Sequence, residues 1–295
     1  MKSPESGAGP WLAFLTCCLI WGSTFLFIRI GNDSMPPVWA ATIRLALASV
    51  LLGAIARALG RRFPRGAELR AALWFGFVNF GISLPLLYWG ELTVPSGIAS
   101  VLYATIPLTT ALFAWGFRLE SLRPGTLIAS VIALAGVAMI GAAPLGPGVS
   151  ALAVAAVVMG AVMASLSGVL LKRAPDGDPF AVNCIANGIG AIVCLVISGF
   201  VGEPWEMPRG ASWIPLIYLT VIGSIGAFVT FAWLVQRWPV SRISFISVVT
   251  PIVGTVLGAL VLSERLTPTS VVGSIIVISA VVLGIWTDLA SRQRA

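Results

Sequence analysis

One cation well inside an apolar run and a scatter of hydroxyls are the groups in this 295-residue chain with chemistry to offer, and most of what catalysis needs is missing. There is no histidine, and no Asp or Glu lies deep within an apolar stretch. Cys17, Cys18, Cys184 and Cys194 sit in apolar runs without the CxxC spacing of a zinc or redox site, so they read as small core residues. No acidic pair, metal-ligand cluster or glycine-rich phosphate loop is found, so neither metal nor cofactor is expected and an enzyme reading has no chemistry to stand on. Arg44 is the exception: it lies inside an apolar run, about seven residues or roughly 10 Å of helix from the nearer end. A central arginine costs about 2.5–3.5 kcal/mol on insertion scales, so a local partner is expected. Two readings stand side by side, a substrate-facing or state-dependent ion pair, and an arginine that snorkels to the interface or bonds to helix carbonyls.

The elements that position these groups follow from composition. Hydrophobic residues make up 58% of the chain, charged residues 10%, and mean hydropathy is +0.99. A soluble domain needs roughly a quarter of its residues charged to cover its surface, so most of this surface faces lipid. The net charge of +7 is spread between apolar runs and not gathered on one face, which argues against a nucleic-acid partner. Ten apolar intervals of bilayer-spanning length are predicted, at residues 11–30, 37–58, 70–92, 95–117, 124–143, 149–171, 180–200, 211–235, 240–262 and 268–287. The first is too long for a signal-peptide core and is read as a retained span.

Loop charges orient them, because cytoplasmic loops are enriched in Lys and Arg. With both termini cytoplasmic, the inner segments hold Lys2; Arg57, Arg61, Arg62, Arg65 and Arg70; Arg118 and Arg123; Lys172 and Arg173; Arg237 and Arg242; and Arg292 and Arg294. The outer segments hold only Arg29, Arg209 and Arg265.

The chain also repeats itself at an offset of 144 residues without gaps. Pro64-Arg65-Gly66-Ala67 returns as Pro208-Arg209-Gly210-Ala211. Arg29 pairs with Arg173, Trp89 with Trp233, Pro95 with Pro239, Ser100 with Ser244, Pro107 with Pro251 and Glu120 with Glu264. The predicted fold is therefore an all-α polytopic membrane protein of two five-helix repeats, residues 1–146 and 147–295. An odd number of spans per repeat inverts the second relative to the first. Such symmetry suits alternating access, though some channels share it.

Ile20-Trp21-Gly22-Ser23-Thr24-Phe25, Pro37 with Arg44-Leu45, and Pro107 followed by Glu120 and Pro124 resemble the motifs of the drug/metabolite transporter superfamily. The likeness is to its EamA branch of bacterial ten-helix exporters, including the YddG-like amino-acid exporters. The resemblance covers nearly the whole chain. It implies a multi-pass protein of the bacterial inner membrane that exports amino acids or related metabolites, with a cavity lined by spans 1, 3, 4, 6, 8 and 9. On that placement, Trp21, Thr24, Asn79, Ser83 and Tyr103 in the first half, and Ser165, Ser224, Phe228, Ser244 and Ser247 in the second, are the substrate-binding candidates. Each has a plainer alternative in a hydroxyl bonded to its own helix or an aromatic that anchors packing.

Pro107 and Pro251 lie near the middle of their spans and are expected to kink them, as hinges or as static bends, and Pro85 is expected to do the same in the third. Gly160, Ala164 and Gly168, and Gly254 with Gly258, are expected to let helices approach closely. Glu120 and Glu264 read as interfacial caps or loop anchors, with a gating role as the alternative. Glu91, at the outer end of span three, reads first as an interfacial residue and second as a gate or coupling site; coupling through a buried carboxylate is not expected and a facilitator is the simpler reading. A cavity without fixed negative charge suits neutral or zwitterionic solutes. The alternatives are a drug, lipid-like or nucleotide-sugar carrier, the last needing more basic residues than Arg44, or a channel, which needs a continuous polar stripe.

Overall fold

The computed structural model describes residues 8–122, 124–142, 149–174, 176–264 and 267–292, and among them every element is helical. Lys2, Arg123, Arg265 and Arg294, counted above among the loop charges, lie outside the described residues. The first two apolar intervals are α1 (Ala8–Asn32) and α2 (Pro37–Ala58). The third is a rod of three pieces, α3 (Ala67–Phe75), a π-helical segment (Gly76–Ser83) and α4 (Leu84–Gly90). The fourth is broken into α5 (Ser96–Tyr103) and α6 (Ile106–Gly116), and α7 (Pro124–Ala142) follows.

The second half continues with α8 (Ala151–Lys172) and α9 (Pro179–Phe200). A short 3-10 turn leads into α10 (Trp213–Tyr218), a second π segment (Leu219–Gly226) and α11 (Ala227–Val235). The short α12 (Val240–Ile243), then α13 (Ile246–Leu262) and α14 (Pro268–Arg292) complete the chain. The two π segments have equal length and nearly keep the repeat register, starting at residues 76 and 219.

Seven of these rods are long and apolar enough to cross a bilayer: α1, α2, Ala67–Gly90, Ser96–Gly116, α8, α9 and Gly210–Val235. A 22-residue helix such as α2 rises about 33 Å, matching a hydrocarbon core about 30 Å thick. Burial is inverted relative to a soluble protein. Val50, Phe200 and Leu260 are 70%, 88% and 76% exposed, whereas Arg44, Asn183, Asn187 and many Ser and Thr are buried. Small residues set the close approaches. A Cβ on Gly254 would lie 2.7 Å from Ser100 Oγ, one on Gly160 2.9 Å from the Tyr103 hydroxyl, and one on Gly258 2.9 Å from Ser96 Oγ. Gly168 differs, with only ordinary contact to Phe231 at 3.6 Å.

The broken rods trace to proline. Pro107 has no N–H for the carbonyl four residues back, and the chain tightens just upstream, Ala104 N donating to Val101 O at 3.0 Å and Thr105 N to Leu102 O at 3.3 Å. The repeat-related bond forms upstream of Pro251, Val248 N to Phe245 O at 3.0 Å, with Ser247 N to Ser244 O at 3.1 Å. The outcomes differ in one respect. Pro107 is the second residue of α6, whereas Pro251 lies inside α13 and the break falls earlier, at residues 244–245. Pro85 lies in the first turn of α4, directly after the first π segment.

One long-range contact closes the packing of α2. After α9 the chain turns through Gly202 (φ +72°), and Glu203 N donates to Ser198 O at 3.0 Å. Glycine takes this left-handed conformation without the steric cost of a Cβ. The turn aims the Glu203 carboxylate at the start of α2, where Oε1 accepts from Val38 N at 3.0 Å and Oε2 from Trp39 N at 2.7 Å. Pro36, the residue preceding α2, supplies no side-chain cap of its own. Glu203→Ala is expected to lower stability by about 1–2 kcal/mol, the usual worth of such a cap, read as a drop of a few degrees in Tm in detergent. An unchanged Tm would show that water replaces the cap at no cost.

Candidate functional site

Between the two halves lies a central cavity, with some 130 Å³ in which the centre of a water molecule can move. Its wall draws on both π-containing rods, on α1 and α8, and on the broken rods around their breaks. It includes Trp21, Thr24, Phe25 and Ile28 of α1, Asn79 and Ser83 of the first π segment, and Arg44 of α2. The repeat register appears in the wall itself. Leu84 and Phe228, Leu87 and Phe231, Tyr103 and Ser247, and Ile106 and Thr250 are each 144 residues apart, and all eight line the cavity.

Most of the candidates meet here. Trp21, Thr24, Asn79, Ser83, Tyr103, Phe228, Ser244 and Ser247 line the cavity, together with Arg44. Ser165 and Ser224 do not. Ser165 is buried between α8 and α6, bonded to Thr109 Oγ1, to Ile106 O at 3.2 Å and to Ala161 O at 3.1 Å. Ser224 sits behind the wall and accepts from Arg44 Nε at 2.8 Å.

The cavity is aromatic on one side, where Trp21 lies 5.2 Å from both Phe228 and Phe231, centroid to centroid. Phe25 meets Tyr103 edge-on at 5.4 Å. Several wall hydroxyls give their protons to backbone carbonyls three or four residues back: Thr24 to Trp21 O at 2.8 Å, Ser247 to Ser244 O at 2.7 Å and Thr250 to Ile246 O at 2.6 Å. Their oxygens keep acceptor capacity toward the cavity. Ser83 donates to Gly160 O at 2.7 Å, and Ser167 shares its proton between Ala164 O at 2.7 Å and Asn79 Oδ1 at 3.1 Å.

Arg44 is 2% exposed. Its second hydrogen bond runs from Nη1 to the Tyr88 hydroxyl at 3.2 Å. The guanidinium thus bonds to side chains of the rods facing α2, and not to carbonyls of its own helix. The ion pairs among the described residues, Arg61–Asp178 and Arg62–Glu68, do not involve it.

Two sets of contacts tie rods together beyond the cavity. At one end Arg29 Nη1 donates to the carbonyls of Glu91, at 2.6 Å, and Leu92, where α4 stops. Beside it Glu264 Oε1 accepts from Ser96 N at 2.8 Å and Ser96 Oγ at 2.9 Å, and Oε2 from Gly97 N at 3.1 Å, capping α5 from the opposite half. At the other end Lys172 Nζ donates to Val235 O at 2.7 Å and Trp238 O at 3.1 Å, where α11 stops. Glu91 and Val235 are repeat-related, so each half fastens a cation from the end of one rod to the carbonyl end of another.

Glu91 corrects the sequence reading. Read as an interfacial residue at the end of a span, it is fully buried there, and among the described residues neither carboxyl oxygen has a hydrogen-bond partner. The wall residues that sequence reasoning missed are chiefly Phe25, Phe231, Thr250 and Ser167. Carrying the offset from Tyr103 through Ile106 leads to Thr250, and from Leu87 to Phe231.

A model of the EamA-like transporter family matches the chain twice, over residues 9–142 and 151–286. The inner membrane transporter YedA of Escherichia coli strain K12 is 27% identical over 92% of this chain and 89% of its own length. A probable terminal-alkyne amino-acid exporter of Streptantibioticus cattleyicolor is 29% identical over 97% of this chain and 96% of its own. A probable amino-acid metabolite efflux pump of E. coli K12 is 24% identical over 92% and 93%. One solved crystal structure superposes with a TM-score of 0.70 at 20% identity, covering 98% of this chain and 100% of the other, a likeness of fold.

Proposed function

Because the chain belongs to the EamA-like transporter family, we propose that this multi-pass membrane transporter exports amino acids or related small metabolites by alternating access about its central cavity. The observation that carries the reading is the paired wall, in which repeat-related residues of both halves face one space. A site shared by two similar units opens to either side when the units rock against each other. In this reading the halves, residues 1–146 and 147–295, are inverted five-span repeats with both termini in the cytoplasm. The Lys/Arg alternation of the loops supports that orientation. Arg29 and Glu264 then close the outer end, and Lys172 ties rods together at the inner end.

Amino acids are favoured as substrates because two relatives are named as exporters of amino acids or their metabolites, and because the wall offers a cation together with hydroxyl acceptors. Among the described wall residues Arg44 is the sole Lys or Arg. One cation suits a carboxylate better than the phosphates of a nucleotide sugar.

The test is counterflow and efflux of labelled amino acids from proteoliposomes. Saturable, trans-stimulated flux is the expected result, and absence of flux for every amino acid overturns the substrate assignment. The buried Glu91 makes an imposed pH gradient a necessary arm of that assay, since flux that responds to the gradient would replace the facilitator reading with proton coupling.

A further inference from the structure

We propose that Arg44 is a carboxylate anchor, so that the transported solute is an amphipathic carboxylate whose apolar part lies against Trp21, Phe228 and Phe231; this rests on the reading of the cavity as the transport site. The guanidinium is 2% exposed and belongs to the cavity wall. Both of its partners, Ser224 Oγ and the Tyr88 hydroxyl, are neutral and hold the group in place without balancing its charge. The remaining N–H groups, both of those on Nη2 among them, have no acceptor in the described protein. Gly223 packs against the group on one side: a Cβ there would lie 3.0 Å from Nη2 and 3.2 Å from Thr24 Cγ2, so a larger residue would displace the guanidinium.

The second π segment serves this arrangement by carrying Gly223 and Ser224 to α2 on adjacent positions. A π turn places side chains off the α-helical register and often marks a functional site.

A desolvated cation with unclaimed, fixed donors is matched by a planar anion that accepts two parallel hydrogen bonds. No Asp or Glu is among the described wall residues, so no fixed negative charge there offsets the repulsion between Arg44 and a cationic solute. An α-ammonium group is tolerated, since Thr24, Ser247 and Thr250 keep acceptor capacity, but it is not required. The cavity thus selects on the carboxylate first and on the apolar side chain second.

The experiment measures ligand-induced thermal stabilisation of the purified protein in nanodiscs with four probes that share a phenyl ring: phenylalanine, 3-phenylpropionate, phenylalaninamide and phenethylamine. The two carboxylates are expected to bind at least about tenfold more tightly than the amide and the amine, and Arg44→Gln is expected to erase the difference. Should that variant not fold, Ser224→Ala keeps the charge, loses its Nε partner and is expected to weaken carboxylate binding a few-fold while leaving the amine unchanged. Equal affinity of wild-type protein for all four probes, or binding of none, overturns the anchor. The two readings fail separately. Arg44-dependent carboxylate binding without amino-acid flux keeps the anchor and removes the amino-acid assignment, while flux inhibited equally by phenylalanine and phenethylamine does the reverse.

Discussion

Replacing Gly76 by alanine is expected to lower the melting temperature in detergent by on the order of 10 °C or to prevent recovery of folded protein. At the start of the first π segment, Gly76 lets that rod lie directly on α9. A Cβ there would fall 2.6 Å from Ala186 Cα, with the Ala186 carbonyl and Ile189 Cγ2 also inside contact distance. A flexible side chain could swing away, but a helix backbone cannot, so the rods must separate. Overpacking a tight interior costs about 1–3 kcal/mol, and a clash with backbone belongs at or above the upper end. The control is Gly116→Ala, where nothing lies within 4 Å of the new Cβ and the change is expected to be neutral. Fluorescence-detected size-exclusion after heating reads both. A Gly76→Ala protein that melts within about 2 °C of wild type would mean the two rods do not touch as described.

Glu264→Ala is expected to open one end of the cavity by roughly an order of magnitude in population. The carboxylate takes three hydrogen bonds at the start of α5, where orphan N–H groups and the positive end of the helix dipole favour an anion. Losing a cap costs about 0.5–2 kcal/mol and the charge interaction about another 0.3–1 kcal/mol. Because the cap joins opposite halves, most of that loss falls on the state in which this end is shut. The readout is the labelling rate of a cysteine introduced by Thr24→Cys, in a background without the four native cysteines, by a membrane-impermeant maleimide on intact cells. A rise of about tenfold is expected on replacing Glu264. An unchanged rate in a folded variant would show that Glu264 only anchors its loop.

Glu264 was legible in the sequence as an interfacial cap because charge and position coincide at the end of a span. What it caps was not, since Ser96 lies 168 residues away. The same holds for Arg44: one charge in an apolar run announces itself, whereas its partner Ser224 is 180 residues distant and resembles every other serine in a span. The family resemblance puts Ser165 and Ser224 in the cavity, but it identifies a rod and not which face of that rod turns inward. The proline breaks could be anticipated since proline lacks a donor. The exact break near Pro251 could not, because neighbouring rods decide where the slack is taken up. The π segments have no sequence signature at all. Glu91 shows the limit most clearly: its place at the end of a span says nothing about whether other rods cover it.

The contact between Glu203 and the start of α2 also has a temporal side. Val38 and its cap are 165 residues apart, so on the ribosome α2 is synthesised and can enter the bilayer long before the carboxylate that completes its first turn exists. Until α9 and the Gly202 turn emerge, two backbone N–H groups at that helix end must rely on water or lipid headgroups. A nascent chain halted before residue 203 therefore carries a first half in which the start of α2 lacks its carboxylate cap.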